Sequence, residues 1–429
     1  MKALYLIYFA LLFALPLGAY IDPGTGSMLF SLLTGISITA FFFLKNLFIK
    51  IKNGVFFEKK GEVELSSGGE RRSLVIYSEG TQYWNVFKPV IGELKRRSLP
   101  FAYYTGSGDD PGLSEPMPEG CTGKFIGKGN AAYRFLNFLE ADICLMTTPS
   151  LDVFQLKRSP GVRHYSHILH MVTDTATYRL FGLDYFDSVL LSGEYQKRDI
   201  RTLESLRGTG KKELYVVGCT YLDELSKRAE AGAAGGRTVL VAPSWGKEGI
   251  LRRYGLSLLE PLAKSSYRVI IRPHPQSKSV EKEVLEGLRE RLSPYPNVEW
   301  DFEPENIGAL SAAGVLISDF SGVIFDYAFM FNRPVVYPGF EFDRRAYDAS
   351  DIEEELWVFR ALGKMGIRID EGNFTEIEGV LDGAIEGIKS GGRDRIIEEL
   401  KNEAYMFPGE AGKRTADALE AIAASLKSS

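Results

Sequence analysis

The chain has 429 residues, with 51 Lys+Arg against 56 Asp+Glu and a net charge of −5. That length predicts two or three domains, and a charged fraction of 25% excludes both a disordered chain and a polytopic membrane protein. No basic excess is available to neutralise a phosphate polymer, which excludes a general nucleic-acid binder. Cys121, Cys144 and Cys219 form no close pair and no metal-ligand spacing, a usage that suits a reducing compartment.

Residues 1–54 differ in composition from all that follows. They contain two apolar runs, 3–20 and 28–44, and the second continues through Leu47, Phe48 and Ile49. That run reaches the ~20 residues needed to cross the hydrocarbon of a bilayer. Between the runs, Pro23, Gly24 and Gly26 cannot continue a helix and read as a turn. Lys45, Lys50, Lys52, Lys59 and Lys60 crowd the exit of the second run, a flank that stays cytoplasmic. The expectation is a membrane anchor of one or two transmembrane helices over 1–54, in a cell inner or plasma membrane, with the large domain in the cytoplasm. Cleavage of the first run as a signal peptide near Ala19 leaves one span.

From residue 71 onward, β-branched runs alternate with amphipathic stretches. Strands are expected at 73–77, 101–104, 143–146, 164–171, 188–191 and 214–217, with helices at 81–97, 131–139 and 194–206. Residues 229–236 (AEAGAAGG) are small and flexible, suited to a linker. A second series follows, with strands at 238–242, 267–272, 298–301, 314–318 and 334–337. Its helices are expected at 256–263, 280–292, 307–312 and 323–331. This alternation predicts an α/β protein of two Rossmann-like domains, 71–225 and 237–390, with C-terminal helices over 391–429. Ligands in such sheets sit beyond the carboxyl ends of the strands, here in a cleft between the domains.

The four histidines are unevenly placed. His164, His167 and His170 fall within RHYSHILHM, but on a strand His164 and His170 share one face and His167 takes the other. That spacing argues against a metal site. His170, at the strand's carboxyl end, is the candidate general base, with Asp174 placed to orient it and His167 the fallback. Packing on a buried strand is the alternative for all three. His274 stands in Arg272-Pro273-His274-Pro275, displayed by a rigid loop, where Arg272 and His274 could hold a phosphate oxygen. The alternative is a stiff surface turn.

The strongest constellation is GVLISDFSGVIFDY, residues 314–327. An apolar strand runs into Ser318, Asp319, Ser321 and Gly322 and then into a helix, whose unpaired amides and dipole suit phosphate. An ordinary capped βα turn is the alternative reading. Asp326, one turn into the helix, could hold a ribose hydroxyl or cap locally. Ser244, in the loop VAPSWGKEG, is a weaker candidate for phosphate or acceptor.

RPHP, followed about 45 residues later by ISDFSGVIFD, resembles the CDP-glycerol glycerophosphotransferase family, which builds teichoic-acid-type polymers. The resemblance covers mainly residues 160–340, and APSW at 242–245 adds to it. It implies a GT-B fold, no cofactor, no metal in the nucleotide pocket, and His274, Ser318, Asp319 and Ser321 around the CDP-glycerol phosphates. It also implies a basic histidine in the N-terminal domain, matched here to His170. Two departures stand out: Met171 follows His170 where the family has Gly or Ser, and Gly322 replaces a common second Ser.

The expected activity is transfer of glycerol phosphate from CDP-glycerol, or another nucleotide-activated donor, to a lipid-linked acceptor at the membrane. A nucleotide-sugar glycosyltransferase of GT-B type and a catalytically silent, membrane-tethered nucleotide-binding module are the alternatives.

Overall fold

The computed structural model describes residues 71–229, 236–340, 342–387 and 392–428. The expected membrane anchor lies outside these residues. No helix among the described residues is long and apolar enough to cross a membrane.

Two parallel sheets organise the chain. The first comprises β1 (Arg72–Ser78), β2 (Ala102–Thr105), β3 (Thr122–Phe125), β4 (Ala141–Met146), β5 (Val162–Ile168), β6 (Ser188–Leu191) and β7 (Glu213–Val216), in the order β3-β2-β1-β4-β5-β6-β7. The second comprises β8 (Thr238–Val241), β9 (Arg268–Ile271), β10 (Val298–Trp300), β11 (Val315–Ile317), β12 (Val335–Pro338) and β13 (Gly366–Ile369), in the order β10-β9-β8-β11-β12-β13. Strands such as Val75-Ile76-Tyr77 and Val315-Leu316-Ile317 are buried on both faces, as helices on either side of a parallel sheet require. The α/β prediction and the paired parallel sheets agree.

Sequence order reverses between β1 and β4 in the first sheet and between β8 and β11 in the second. At such switch points the loops leaving neighbouring strands diverge and open a crevice. Register sets which residues reach each one: Tyr77 pairs with Met146, and Ile317 pairs with Val241. Glu79 and Thr147 therefore emerge at the first switch point, and Ala242 and Ser318 at the second.

Local chemistry explains the flanking helices. Trp84–Arg96 buries Trp84, Val86, Phe87, Val90, Ile91 and Leu94 at helical spacing and ends in Lys95 and Arg96, cations that suit a helix C-terminus. Val323–Phe331 stops at Asn332, which takes the left-handed conformation at φ 51° before Arg333-Pro334. Two strands, β3 and β13, were not expected from sequence. Each is a short outer strand, and β3 is solvent-exposed throughout, so neither carries a core pattern.

The halves share one core. Val172, Ala176, Leu203 and Leu222 pack in the same cluster as Ile324, Phe325, Trp357 and Val358. Buried carboxylates reinforce it from both sides. Asp348, in the second half, accepts the Phe181 and Gly182 N–H groups at 2.7 and 3.2 Å and the Arg207 guanidinium at 2.7 Å. The final helix, Ala411–Ser428, returns to the first half, where Ala416, Leu419 and Ile422 pack with Val86, Phe87 and Val90. Asp223, on the connecting helix Thr220–Arg228, accepts Tyr405 Oη, Gly409 N–H and Ala411 N–H at 2.7, 2.7 and 2.9 Å.

Candidate active site

On the first-half side, β5 ends at Ile168 and delivers His170 into the crevice. Its Nδ1 meets Thr147 Oγ1 at 3.0 Å, and the Tyr83 ring stands edge-on at 5.3 Å between centroids. Burial pushes the imidazole's pKa down to about 4, and His274 pushes in the same direction. The two imidazoles thus lie near enough for charge on one to disfavour charge on the other, although they come from different halves of the chain.

The other first-half histidines are packed. His167 Nε2 bonds Tyr178 Oη at 3.0 Å, with its ring edge-on to Phe186, and burial pushes it down to about 3. His164 Nε2 bonds Ser188 Oγ at 2.9 Å. His167 is therefore buried in the packing of the sheet, near enough to His170 for that imidazole to add to the effect of burial.

Asp174 does not orient His170. Its oxygens accept the N–H groups of Trp357 and Val358 at 2.7 and 2.8 Å, the first two residues of the helix Trp357–Met365. Those amides have no partner within their own helix, so a carboxylate from the other half satisfies them. The partner of His170 is Thr147 instead.

On the second-half side, Gln276 N–H donates to His274 Nδ1 at 3.2 Å, which places the proton of the neutral imidazole on Nε2. The ring lies 6.3 Å from that of Trp245, and burial pushes its pKa down to about 4. Arg272 is not available for phosphate. It bonds the Asp301 carboxylate at 2.5 Å and the Glu303 and Pro304 carbonyls at 2.8 and 3.4 Å, which ties the end of β9 to the loop after β10.

Ser318 and Asp319 are also frame rather than ligand contacts. Ser318 Oγ donates to the Ala242 carbonyl at 2.6 Å, closing β11 onto β8. The buried Asp319 carboxylate collects the N–H groups of Ser244, Ile250, Phe320 and Ser321 at 2.8–3.2 Å. Burial raises its pKa, while the four amides favour its charged form. Its two oxygens are spent on these amides, so the carboxylate sets the shape of two loops.

Ser321 and Gly322 do face the crevice. Ser321 is half-buried, and its hydroxyl makes no bond among the described residues. A methyl on Gly322 would stand 3.7 Å from both Cβ and Sδ of Met171 and 4.0 Å from Thr173 Cγ2. The turn at 321–322 is therefore apposed to the chain just after His170. Asp326 is pushed up to about 7 by burial, and its carboxylate lies near Tyr221 and Cys219. Ser244 contributes its amide to Asp319, as above.

Sequence reasoning passed over four contributors. Glu281, buried, holds Gly246 N–H at 3.1 Å and Ser277 Oγ at 2.7 Å and so locks the Trp245 loop to the His274 loop. Arg179, from the first half, lies over the Trp245 ring, 5.6 Å from its centroid. It is exposed and has no ion pair among the described residues. Thr147 and Glu79 announced themselves only as polar residues directly after apolar strands. A cavity of ≈ 300 Å³ lined by Tyr337, Phe340, Phe342, Arg344, Phe359 and Arg368 lies to one side, behind Phe320. Among the described residues no group of His, Cys, Asp and Glu is arranged to hold a metal ion.

Residues 213–352 match the family CDP-Glycerol:Poly(glycerophosphate) glycerophosphotransferase. The matched stretch is about a third of the chain and takes in β7 to β12. It contains APSW, RPHP and ISDFSGVIFD, the motifs on which the resemblance rested, and with them Ser244, His274, Ser318, Asp319 and Ser321. No curated protein matches the chain in sequence. Among solved structures, the wall teichoic acid polymerase TagF superposes with a TM-score of 0.51 at 15% identity, covering 84% of this chain and 90% of its own. The UDP-GlcNAc 2-epimerases of Methanocaldococcus jannaschii and Neisseria meningitidis give TM-scores of 0.53 and 0.52 at 14% and 15% identity. Each covers 82% of this chain and 100% of its own. At these identities the likeness is one of fold, and it supports the GT-B arrangement of the two sheets.

Proposed function

We propose that the chain transfers glycerol phosphate from CDP-glycerol to a hydroxyl of a lipid-linked cell-envelope acceptor. The single observation that carries this reading is the apposition of His170, from the first half, to the His274 and Ser321–Gly322 loops of the family-matched second half. The donor diphosphate sits over the exposed amides at the start of Val323–Phe331, favoured by the helix dipole. The proton on His274 Nε2 donates to it. Arg179 supplies the cation that Arg272 cannot, and Asp326 receives a ribose hydroxyl.

His170 acts on the acceptor. With its Nδ1 proton donated to Thr147 Oγ1, Nε2 keeps a free lone pair. The acceptor oxygen gives its proton to Nε2 and forms a bond to the β-phosphorus, the bond from that phosphorus to the bridging oxygen breaks, and CMP leaves. The bound diphosphate's negative charge raises the proton affinity of both imidazoles, so His170 is a stronger base with donor present than without it. Positioned proton removal contributes ~10²–10⁴-fold.

The apolar runs and lysine flank of residues 1–54 support attachment to the plasma membrane with the catalytic unit on its cytoplasmic side. The test incubates full-length protein with CDP-glycerol and bacterial membranes and follows both nucleotide release and label transfer. CMP release coupled to transfer of labelled glycerol phosphate is the expected result. Release of a nucleoside diphosphate from a nucleotide sugar would establish the glycosyltransferase reading instead. Donor binding without turnover would make the chain a binding module.

A further inference from the structure

The first-half wall of the crevice carries a carboxylate that the donor chemistry does not use. Glu79 follows β1 at the first switch point. Tyr133 Oη donates to its Oε1 at 3.1 Å and Thr148 Oγ1 to its Oε2 at 3.2 Å. Thr148 is next in the chain to Thr147, the partner of His170. Tyr83, edge-on to His170, is close enough to Glu79 for that carboxylate to help push the tyrosine's pKa up to about 12. Glu79, Tyr83, Tyr133 and His170 thus converge at the carboxyl ends of β1, β4 and β5. Glu79 is half-buried and has no ion pair among the described residues.

A carboxylate accepts at about four lone-pair positions. One hydroxyl on each oxygen orients the Glu79 group and leaves two positions for incoming donors. Tyr83 and Tyr133 bring aromatic rings against which the C–H face of a polyol can lie. The negative charge discriminates: it accepts hydroxyl donors and repels phosphate. A site that reads a hydroxyl through an oriented polar group discriminates against ligands unable to supply that hydroxyl.

We infer that Glu79 forms the acceptor subsite, and that the group it takes is an uncharged, multiply hydroxylated terminus, a polyol or sugar end, rather than a terminal phosphate. One hydroxyl bonds Glu79 while its neighbour reaches His170 Nε2. The inference rests on the transferase reading for its purpose, but binding tests it separately.

Saturation-transfer NMR on the full-length chain in deuterated detergent, with glycerol and glycerol 3-phosphate as probes, measures the subsite directly. Calorimetry with CDP-glycerol runs in parallel. Wild type is expected to bind glycerol at least tenfold more tightly than glycerol 3-phosphate. Glu79→Gln should weaken glycerol about tenfold and bring the two probes close together, because the repulsion is gone. Tyr133→Phe, which keeps the charge but loosens its orientation, should weaken glycerol while preserving the preference against the phosphate. CDP-glycerol affinity should stay within threefold in both variants. Unchanged glycerol binding in Glu79→Gln, or a wild type that binds both probes equally, overturns the subsite even if CDP-glycerol binds. Glycerol bound at Glu79 with no affinity for CDP-glycerol supports the subsite and defeats the donor assignment.

Discussion

The Asp174 carboxylate accepts the Trp357 amide at 2.7 Å, so one half of the molecule caps a helix of the other. Replacing Asp174 with Ala should cost about 0.5–2 kcal/mol of stability, the range for losing a helix cap. Burial pushes its carboxyl up to about 6, against 3.8 unfolded. Between those pH values the folded chain holds more protons than the unfolded one, so this group's contribution to stability falls as pH rises. Urea titrations from pH 4 to 6 should therefore show a steeper fall for wild type than for Asp174→Asn. The pH dependence of turnover should be the same in both, because Asp174 does not touch His170. A shifted turnover profile in Asp174→Asn would restore the orienting role.

His170→Ala should lower kcat by 10²–10⁴-fold and leave the CDP-glycerol Kd within a few-fold. Both crevice imidazoles are pushed down to about 4, so the free protein holds them neutral throughout the neutral range. The acid limb of kcat/KM, which reports free-enzyme groups, is expected near pH 4–5 rather than at 6.5. A limb at 6.5 that vanishes in His170→Ala would contradict the burial seen here.

Asp319→Asn removes one acceptor oxygen and turns an amide donor toward the N–H groups that this oxygen held. Each orphaned buried N–H costs roughly 1–3 kcal/mol. Denaturation should show that loss, and donor binding should weaken with it because the 244–250 and 320–321 loops lose their common support. Calorimetry on the folded fraction separates the two effects.

Arg179→Ala should weaken CDP-glycerol binding tenfold or more without lowering the denaturation midpoint, since the guanidinium is exposed. Arg272→Ala should do the opposite in emphasis and cost stability by leaving Asp301 unpaired. Arg272→Ala/Asp301→Ala should recover part of that loss. A double-mutant cycle measures it.

Gly322→Ala should be tolerated, because the added methyl meets Met171 at ordinary contact distance. Gly322→Phe should block the crevice and abolish donor binding while the circular dichroism spectrum is unchanged.

The sheets were legible because their strands are buried on both faces and read as short apolar runs, such as Val239-Leu240-Val241. The outer strands were not: β3 is TGKF, fully exposed, and carries no period. The site was half legible. His170, His274, Ser321 and Gly322 stand at strand ends in recognisable loops, and the structure brings them to one crevice. Asp174, Arg272, Ser318 and Asp319 occupy the same motifs, yet their polar atoms are spent on backbone groups and on Asp301. Residue type and position cannot tell a carboxylate that meets a ligand from one that gathers loop amides, because the difference lies in partners as far away as Trp357. Glu79 and Arg179 were missed for the converse reason: each is a single charged residue whose neighbours arrive from other segments.

The rivet at Asp223 has a mechanical consequence. The polypeptide passes between the halves twice, before β8 and again near residue 405, and one carboxylate fastens these two passages side by side. Together with Asp174 on Trp357 and Asp348 on Phe181, Gly182 and Arg207, this fastening stitches the lobes along a seam rather than at one hinge point, so a substrate meets walls whose spacing is already set.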